Sequence, residues 1–469
     1  MRMAGTSEKE ARPGWEPYAV ALGLWVFISF LLPDAKLSLG ILGGSPGSET
    51  TGANPFYAEL GAFALAVWAL ASRDLRGRIP GVARRLALGW CLVVGVSAVR
   101  GLAEGHHYRD VLAEARIAVL APALLAVGAL DSRGRRLART ALAAGLAAAM
   151  LVQFALICFS PTGLYSFLVV PVAITASSHD TALQWLSAIA AVLAGGLWLS
   201  GWPALALAAG AWLLLWLSLI RSLWLVAPLG AATIAFFLFS AGRRPWALRF
   251  VLTQVVACVL GLAACLAVYR TTTPDGIFLM QFRLQRMAQT LHLASAPPVA
   301  PDVGPYGSPL LREIARRGGL YRALDAPPQA RSVEQERSQD PSLGMRKIEF
   351  NAFMGGFRRS PLLGQGLGLV IPIPITKGID MDRDPESGPA WFLSKMGLLG
   401  AGFMGCGLLW MALALWRRRN RFTAQTAAAA GVLAMLAALE IFQTGIMHST
   451  VWLPMLILGS VLMEGPGTE

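Results

Sequence analysis

Apolar runs of about 17–25 residues recur along the chain, each long enough to cross roughly 30 Å of hydrocarbon as a helix. They fall near 16–34, 55–72, 84–103, 114–130, 137–158, 181–199, 203–220, 222–241, 250–268, 390–416, 424–446 and 449–464. A further stretch, TGLYSFLVVPVAITASS (161–177), carries a proline and polar ends, which predicts that it dips into the membrane or lies flat on it. The pattern breaks on a large scale only over 269–389, which is polar. These features predict an all-α, polytopic integral membrane protein of about twelve transmembrane helices with one large loop. Residues 1–268 would form helices one to nine, 269–389 the loop, and 390–469 the last three helices.

Charge orients this layout. Arginines concentrate in four short loops, RDLRGRIPGVARR (73–85), DSRGRRLAR (131–139), GRRPWALR (242–249) and RRRNR (417–421). The positive-inside rule puts all four in the cytoplasm, and both chain ends with them. The 269–389 loop then lies on the far side; its fifteen Lys and Arg against twelve acids leave it almost balanced, unlike the cytoplasmic loops. Its middle, SAPPVAPDVGPYGSP (295–309), is proline-rich and predicted irregular. The flanks LLREIARRGGLYRAL (310–324) and MRKIEFNAFMGGFRR (345–359) read as amphipathic helices on a membrane surface.

Composition agrees: 55% of the residues are hydrophobic and 14% charged, too little charge to coat a soluble domain of this length. A net charge of +13 would suggest nucleic acid in a soluble protein. Here it reads as membrane orientation, with membrane lipids as partners and no nucleic acid. Cys91, Cys158, Cys258, Cys265 and Cys406 all lie in apolar runs, and no CxxC or HExxH occurs, so neither a disulfide framework nor a metal site is expected. The N-terminal MRMAGTSEKEARPGWEP is too long and mixed for a cleavable signal, so the first helix is expected to be retained.

Several residues carry candidate chemistry. PLLGQGLG (361–368) has the look of a phosphate-binding glycine loop, but no lysine follows it. Its glycines are better suited to a tight turn beneath a ligand or against a helix. Glu440 sits inside an apolar run, where an ionisable group is a functional candidate by default; an interhelical hydrogen bond, with Gln443 or a neighbour, is the plainer role. His106, His107, His179 and His448 project outward. Adjacent histidines on a helix point about 100° apart, which argues against His106 and His107 as a metal pair.

The stretch from Arg346 resembles the signature of the O-antigen ligase and polysaccharide polymerase superfamily. Arg346 is followed four residues on by Phe350 and then by SPLLGQGLG. LSLIRSLWLVAPLG (217–230) is similar to the family's Ser-Arg segment at a helix start, which maps onto Arg221, and AWFLSKMGLLGAG (390–402) to the helix after the large loop. The resemblance covers most of 180–464. It implies a bacterial inner-membrane glycosyltransferase that moves a glycan from a polyprenyl-diphosphate donor to a hydroxyl of a glycan acceptor at the periplasmic face. The acceptor would be a lipid-linked repeat, for a polymerase, or the lipid A core, for a ligase. The family's chemistry inverts the anomeric centre and uses no metal, nucleotide sugar or other cofactor.

Arg221 and Arg346 would hold the diphosphate, since a guanidinium donates paired hydrogen bonds to phosphate oxygens and keeps its charge at any relevant pH. Arg358 and Arg359 are further substrate-binding candidates, or surface charges that meet lipid headgroups. The sequence departs from the family where a histidine is expected as base: counting back from Gly397 lands on Glu386–Ser387. Glu386, a neighbouring Asp384 or Asp382, or His448 would then take the acceptor's proton. A transporter or flippase of lipid-linked glycans is the competing reading, although no repeated halves are visible.

Overall fold

A computed structural model describes residues 16–31, 57–159, 201–217, 221–272, 341–375, 378–382 and 387–442, with a few isolated positions besides. Thirteen α-helices occur among the described residues. They are α1 (Pro17–Leu31), α2 (Tyr57–Ala71), α3 (Arg73–Arg78), α4 (Gly81–Ala103), α5 (Tyr108–Ala115), α6 (Leu120–Gly128) and α7 (Ser132–Phe159). After these come α8 (Trp202–Leu217), α9 (Arg221–Ser240), α10 (Arg244–Thr272), α11 (Pro341–Arg359), α12 (Gly388–Arg418) and α13 (Ala424–Phe442).

The chain is an all-helical, multi-span membrane protein. Five helical stretches among the described residues are long and apolar enough to span a bilayer, fewer than the twelve the sequence pattern predicts. They are Gly81–Ala103, Tyr108–Gly128, Leu223–Ser240, Arg244–Val268 and Gly388–Arg417. Four more apolar stretches, Pro17–Ser29, Ala58–Ala71, Trp202–Leu217 and Thr426–Ile441, are shorter than a full crossing. The expected spans at 181–199 and 449–464, and the segment 161–177, lie outside the described residues. So do Glu386 and His448.

Local sequence explains where several elements begin and bend. Pro80 stands at the N-cap of α4, where its missing N–H costs no intrahelical bond. A turn of 3-10 helix at Arg116–Val119 joins α5 to α6 and alters the twist midway along that span. The 269–389 segment also holds an antiparallel hairpin that the polar pattern does not predict, β1 (Ile371–Ile375) with β2 (Gly378–Asp382), paired from Ile371↔Asp382 to Ile375↔Gly378. Pro372 and Pro374 alternate with isoleucines, so both missing N–H groups fall on one edge of β1 and the ladder survives.

Helices pair through small residues. α1 lies along α7, α8 along α10 and α9 along α13. Gly431 of α13 meets Gly230 and Ile234 of α9, where a Cβ would come within 2.6 Å of the Gly230 carbonyl oxygen. Close backbone approach of this kind replaces the hydrophobic drive that lipid does not supply between helices. Buried indoles find partners too: Trp90 donates to the Ile117 carbonyl and Trp212 to Gln254. Leu88, Leu92 and Val99 form an exposed apolar stripe at helical spacing on α4, the face a bilayer would cover.

Candidate functional site: a glycine loop set into a broken helix

Gly81, where α4 begins, lies within the arginine-rich segment 73–85, and the far end of α4, at Arg100 and Gly101, meets the glycine loop 361–368. The loop follows directly from α11, the helix that carries Arg346 and ends on the exposed Arg358 and Arg359. α11 packs on α12, with Phe353 fully buried beside Ala390. The Arg346 backbone is therefore part of a helix docked on the membrane-spanning bundle. Arg221 is the first residue of α9. Phe237 of α9 touches Phe422, and Gly230 touches Gly431 of α13. That antiparallel register carries the Arg221 end of α9 toward the Glu440 end of α13.

The glycines of the loop have a specific use. Gly364, Gly366 and Gly368 take φ of +69°, +89° and +78°, a region that side chains with a Cβ rarely adopt. Space forbids a Cβ as well. One at Gly366 would lie 2.2 Å from the Gly101 nitrogen, and one at Gly364 2.4 Å from the Lys395 carbonyl carbon. The sequence expectation that the glycines pack the backbone against a neighbouring helix describes this arrangement.

The neighbouring helix is itself broken. Gly397 in α12 has φ of +62°, so the helix is interrupted there. Such a break orphans the N–H groups that follow it. The loop supplies their acceptors: Leu398 N–H donates to the Pro361 carbonyl (2.8 Å) and Leu399 N–H to the Leu362 carbonyl (3.0 Å). In return, the loop's Gln365 and Gly366 N–H groups donate to the carbonyls of Ser394 and Lys395. Leu367 N–H donates to the Ser97 carbonyl of α4. Trp90 of α4 touches Phe392 on one side of the break and Phe403 on the other.

Charged groups close the seam. Lys395 and Glu114 form an ion pair with both side chains fully buried. The second Glu114 oxygen accepts from Gly368 N–H at 2.6 Å. The Lys395 ammonium also lies 5.3 Å from the Trp391 ring centroid and 6.0 Å from that of Phe353, favourable positions for a cation over aromatic faces. One pair therefore ties α5, the loop, α11 and α12 together. Two residues on, Arg116 grips the Glu59 carboxylate with three hydrogen bonds of 2.9–3.1 Å, joining α2 to the 3-10 turn.

At the outer rim, Arg100 Nε donates to the Gly364 carbonyl at 2.7 Å while its other end pairs with Glu104. His106 Nδ1 is 2.8 Å from the Leu367 carbonyl. A carbonyl only accepts, so Nδ1 carries the proton and Nε2 of the neutral ring is left as its proton acceptor. His107 instead caps α5, its Nδ1 accepting from Arg109 N–H at 3.4 Å. The two histidines thus serve different partners. Glu440 lies against the start of α12, where a Cβ on Gly388 would meet its Oε2 at 2.7 Å.

Sequence reasoning missed Glu59, Arg100, Glu114, Arg116 and Lys395. Lys395 had a legible signal, since it is a lone cation inside an apolar run. Glu114 and Arg116 stood at the edge of such a run, where charge is ordinary. Of the residues proposed from the sequence, α11 brings Arg346, Arg358 and Arg359 onto one element that leads into the seam. No family model matches the chain, and no curated protein is significantly similar to it.

Proposed function

We propose that the chain is a membrane glycosyltransferase that moves a glycan from a polyprenyl-diphosphate donor to a glycan hydroxyl, as the resemblance to O-antigen ligases and polysaccharide polymerases implies. It would act in a bacterial inner membrane, at the periplasmic face, on a scaffold of about twelve spans. The observation that carries the reading is the union of its motif. The helix with Arg346, the segment SPLLGQGLG and the helix beginning near AWFLSKMG, distant from one another in composition, form one interlocked unit through the Gly397 break.

That unit suits the chemistry. A polyprenyl diphosphate has a charged head on a greasy tail, so its site belongs where cations meet the end of an apolar bundle. Arg346 and Arg221, at the start of α9, would hold the diphosphate and stabilise the charge that builds on it as the glycosidic bond breaks, with Arg358 and Arg359 as further contacts to substrate or lipid headgroups. A rigid mounting matters for this task, because a displaced cation loses much of its effect on the transition state. Glu386 or His448 would take the acceptor's proton. The Nε2 of His106, whose ring is held beside the loop, is a further candidate for that step.

The absence of the family's histidine favours a polymerase or exopolysaccharide relative over a ligase. A transporter of lipid-linked glycans is the alternative; a helix broken within the bundle is common in transporters, and Gly397 is such a break. Here the loop fills the break with its own carbonyls, which argues for a structural joint over a transport site. A surface-glycan gel from a strain lacking the gene separates the outcomes. A core bearing one repeat indicates a lost polymerase. A bare core with polymer retained on its lipid carrier indicates a lost ligase. Loss of all glycan from the outer leaflet, with donor trapped inside, indicates transport and overturns the proposal.

A further inference from the structure

We propose that the groove between α8 and α10 is a binding site for an anionic phospholipid, with Arg249 on the phosphate and an acyl chain along the two helices. The groove encloses about 300 Å³ and is lined by Trp202, Leu205, Arg249, Leu252, Thr253 and Val256, among others. Its position carries the first part of the argument. It opens at the start of both helices, where Arg243, Arg244 and Arg249 crowd the turn into α10. This is one of the arginine-rich ends of the bundle, and basic pockets between transmembrane helices attract acidic lipid headgroups.

The lining carries the second part. Arg249 is the sole cation among the lining residues, and the rest of the wall is almost wholly apolar. Thr253 does not change that, since its hydroxyl donates to the Arg249 carbonyl at 2.9 Å and its methyl remains for the groove. Arg244 is drawn the other way, its guanidinium 5.0 Å from the Phe239 ring centroid of α9, which leaves Arg249 as the cation of the groove. From Arg249 to Val256 the helix rises roughly 10 Å, so the site offers a charge at one end and a greasy trough below it. A soluble anion would use only the charge. A zwitterionic lipid would bring a quaternary ammonium along with its phosphate, which offsets most of the attraction to Arg249. An anionic phospholipid uses both charge and trough. Trp202, 82% exposed at the mouth, stands where an indole meets the headgroup level of a bilayer.

The proposal is independent of the glycosyltransferase reading. Native mass spectrometry of the full chain, released from mild detergent with added phosphatidylglycerol or phosphatidylcholine, tests it. The wild type should retain phosphatidylglycerol about ten-fold better than phosphatidylcholine. Arg249→Gln should bring the two to parity, and Arg249→Lys should keep most of the preference. Leu252→Trp, which fills the trough and leaves the arginine, should lower retention of both lipids. Arg244→Gln should change little, and every variant should keep the wild-type elution profile in size exclusion. Undiminished phosphatidylglycerol retention in Arg249→Gln overturns the proposal. So does displacement of the lipid by millimolar inorganic phosphate, which would mark a simple anion site.

Discussion

Near the Gly81 end of α4 one ion pair faces water, and near its Ala103 end another is sealed inside. Arg78 donates to Glu16 at 2.8 and 3.0 Å, yet both side chains remain about a third exposed. Lys395 and Glu114 have no exposure at all. The first kind of charge positions a chain in a membrane and is replaceable by any other cation. The second kind was removed from water at a cost of several kcal/mol per ion, which only good geometry offsets. A membrane protein keeps such a pair where the geometry itself is needed, and here the pair fastens a glycine loop across a helix break.

Gly366→Ala puts a Cβ into the Gly101 backbone at an unfavourable φ, with no flexible neighbour to yield. It should cost more than about 4 kcal/mol, seen as loss of a monodisperse peak when the protein is heated before size exclusion. Next, Lys395→Met leaves Glu114 as a buried charge without its cation and should cost about 3–5 kcal/mol by the same measurement. Adding Glu114→Gln should recover part of that loss, because it removes the uncompensated charge while the amide oxygen can still accept from Gly368 N–H.

Arg116→Met should cost somewhat less, about 2–4 kcal/mol, since Arg116 and Glu59 keep 15% and 7% exposure and so some access to solvent. Arg78→Gln, at the watery end, should cost about 0–1 kcal/mol. A result in which Arg78→Gln and Lys395→Met destabilise equally would erase the distinction between the two ends.

The sequence made the apolar helices legible because period and length are local properties. The starts of α1, α2, α8 and α9 lie within a few residues of the expected positions. Helix length was harder: α10 and α12 both run past their apolar cores into arginines, which a helix tolerates when long side chains reach for water. The β1–β2 hairpin was hidden by two prolines that usually argue against a strand. The break at Gly397 was hidden for a different reason. Its hydrogen-bond partners, Pro361 and Leu362, are more than thirty residues away in sequence. Nothing local distinguishes a glycine that breaks a helix from the other glycines of α12 that do not.

For the candidate site, the glycine motif and Arg346 were visible as a pattern, whereas the groups that anchor them were not. Glu114 and Lys395 are 281 positions apart and meet only through the fold. His106 likewise reaches Leu367 across 261 positions. Long-range pairing of this kind has no signature in one sequence.

We propose that Arg346 acts on the donor's diphosphate and that the seam holds its helix in place. The direct measurement is glycan transfer by the purified protein from a labelled polyprenyl-diphosphate donor to an acceptor glycan, comparing wild type with Arg346→Ala and Arg346→Lys. We expect Arg346→Ala to lose at least about a hundred-fold in rate with unchanged thermal stability, and Arg346→Lys to recover only part of it. Wild-type transfer by Arg346→Ala would contradict the claim, and wild-type protein inert toward every polyprenyl-diphosphate donor would contradict the glycosyltransferase reading itself.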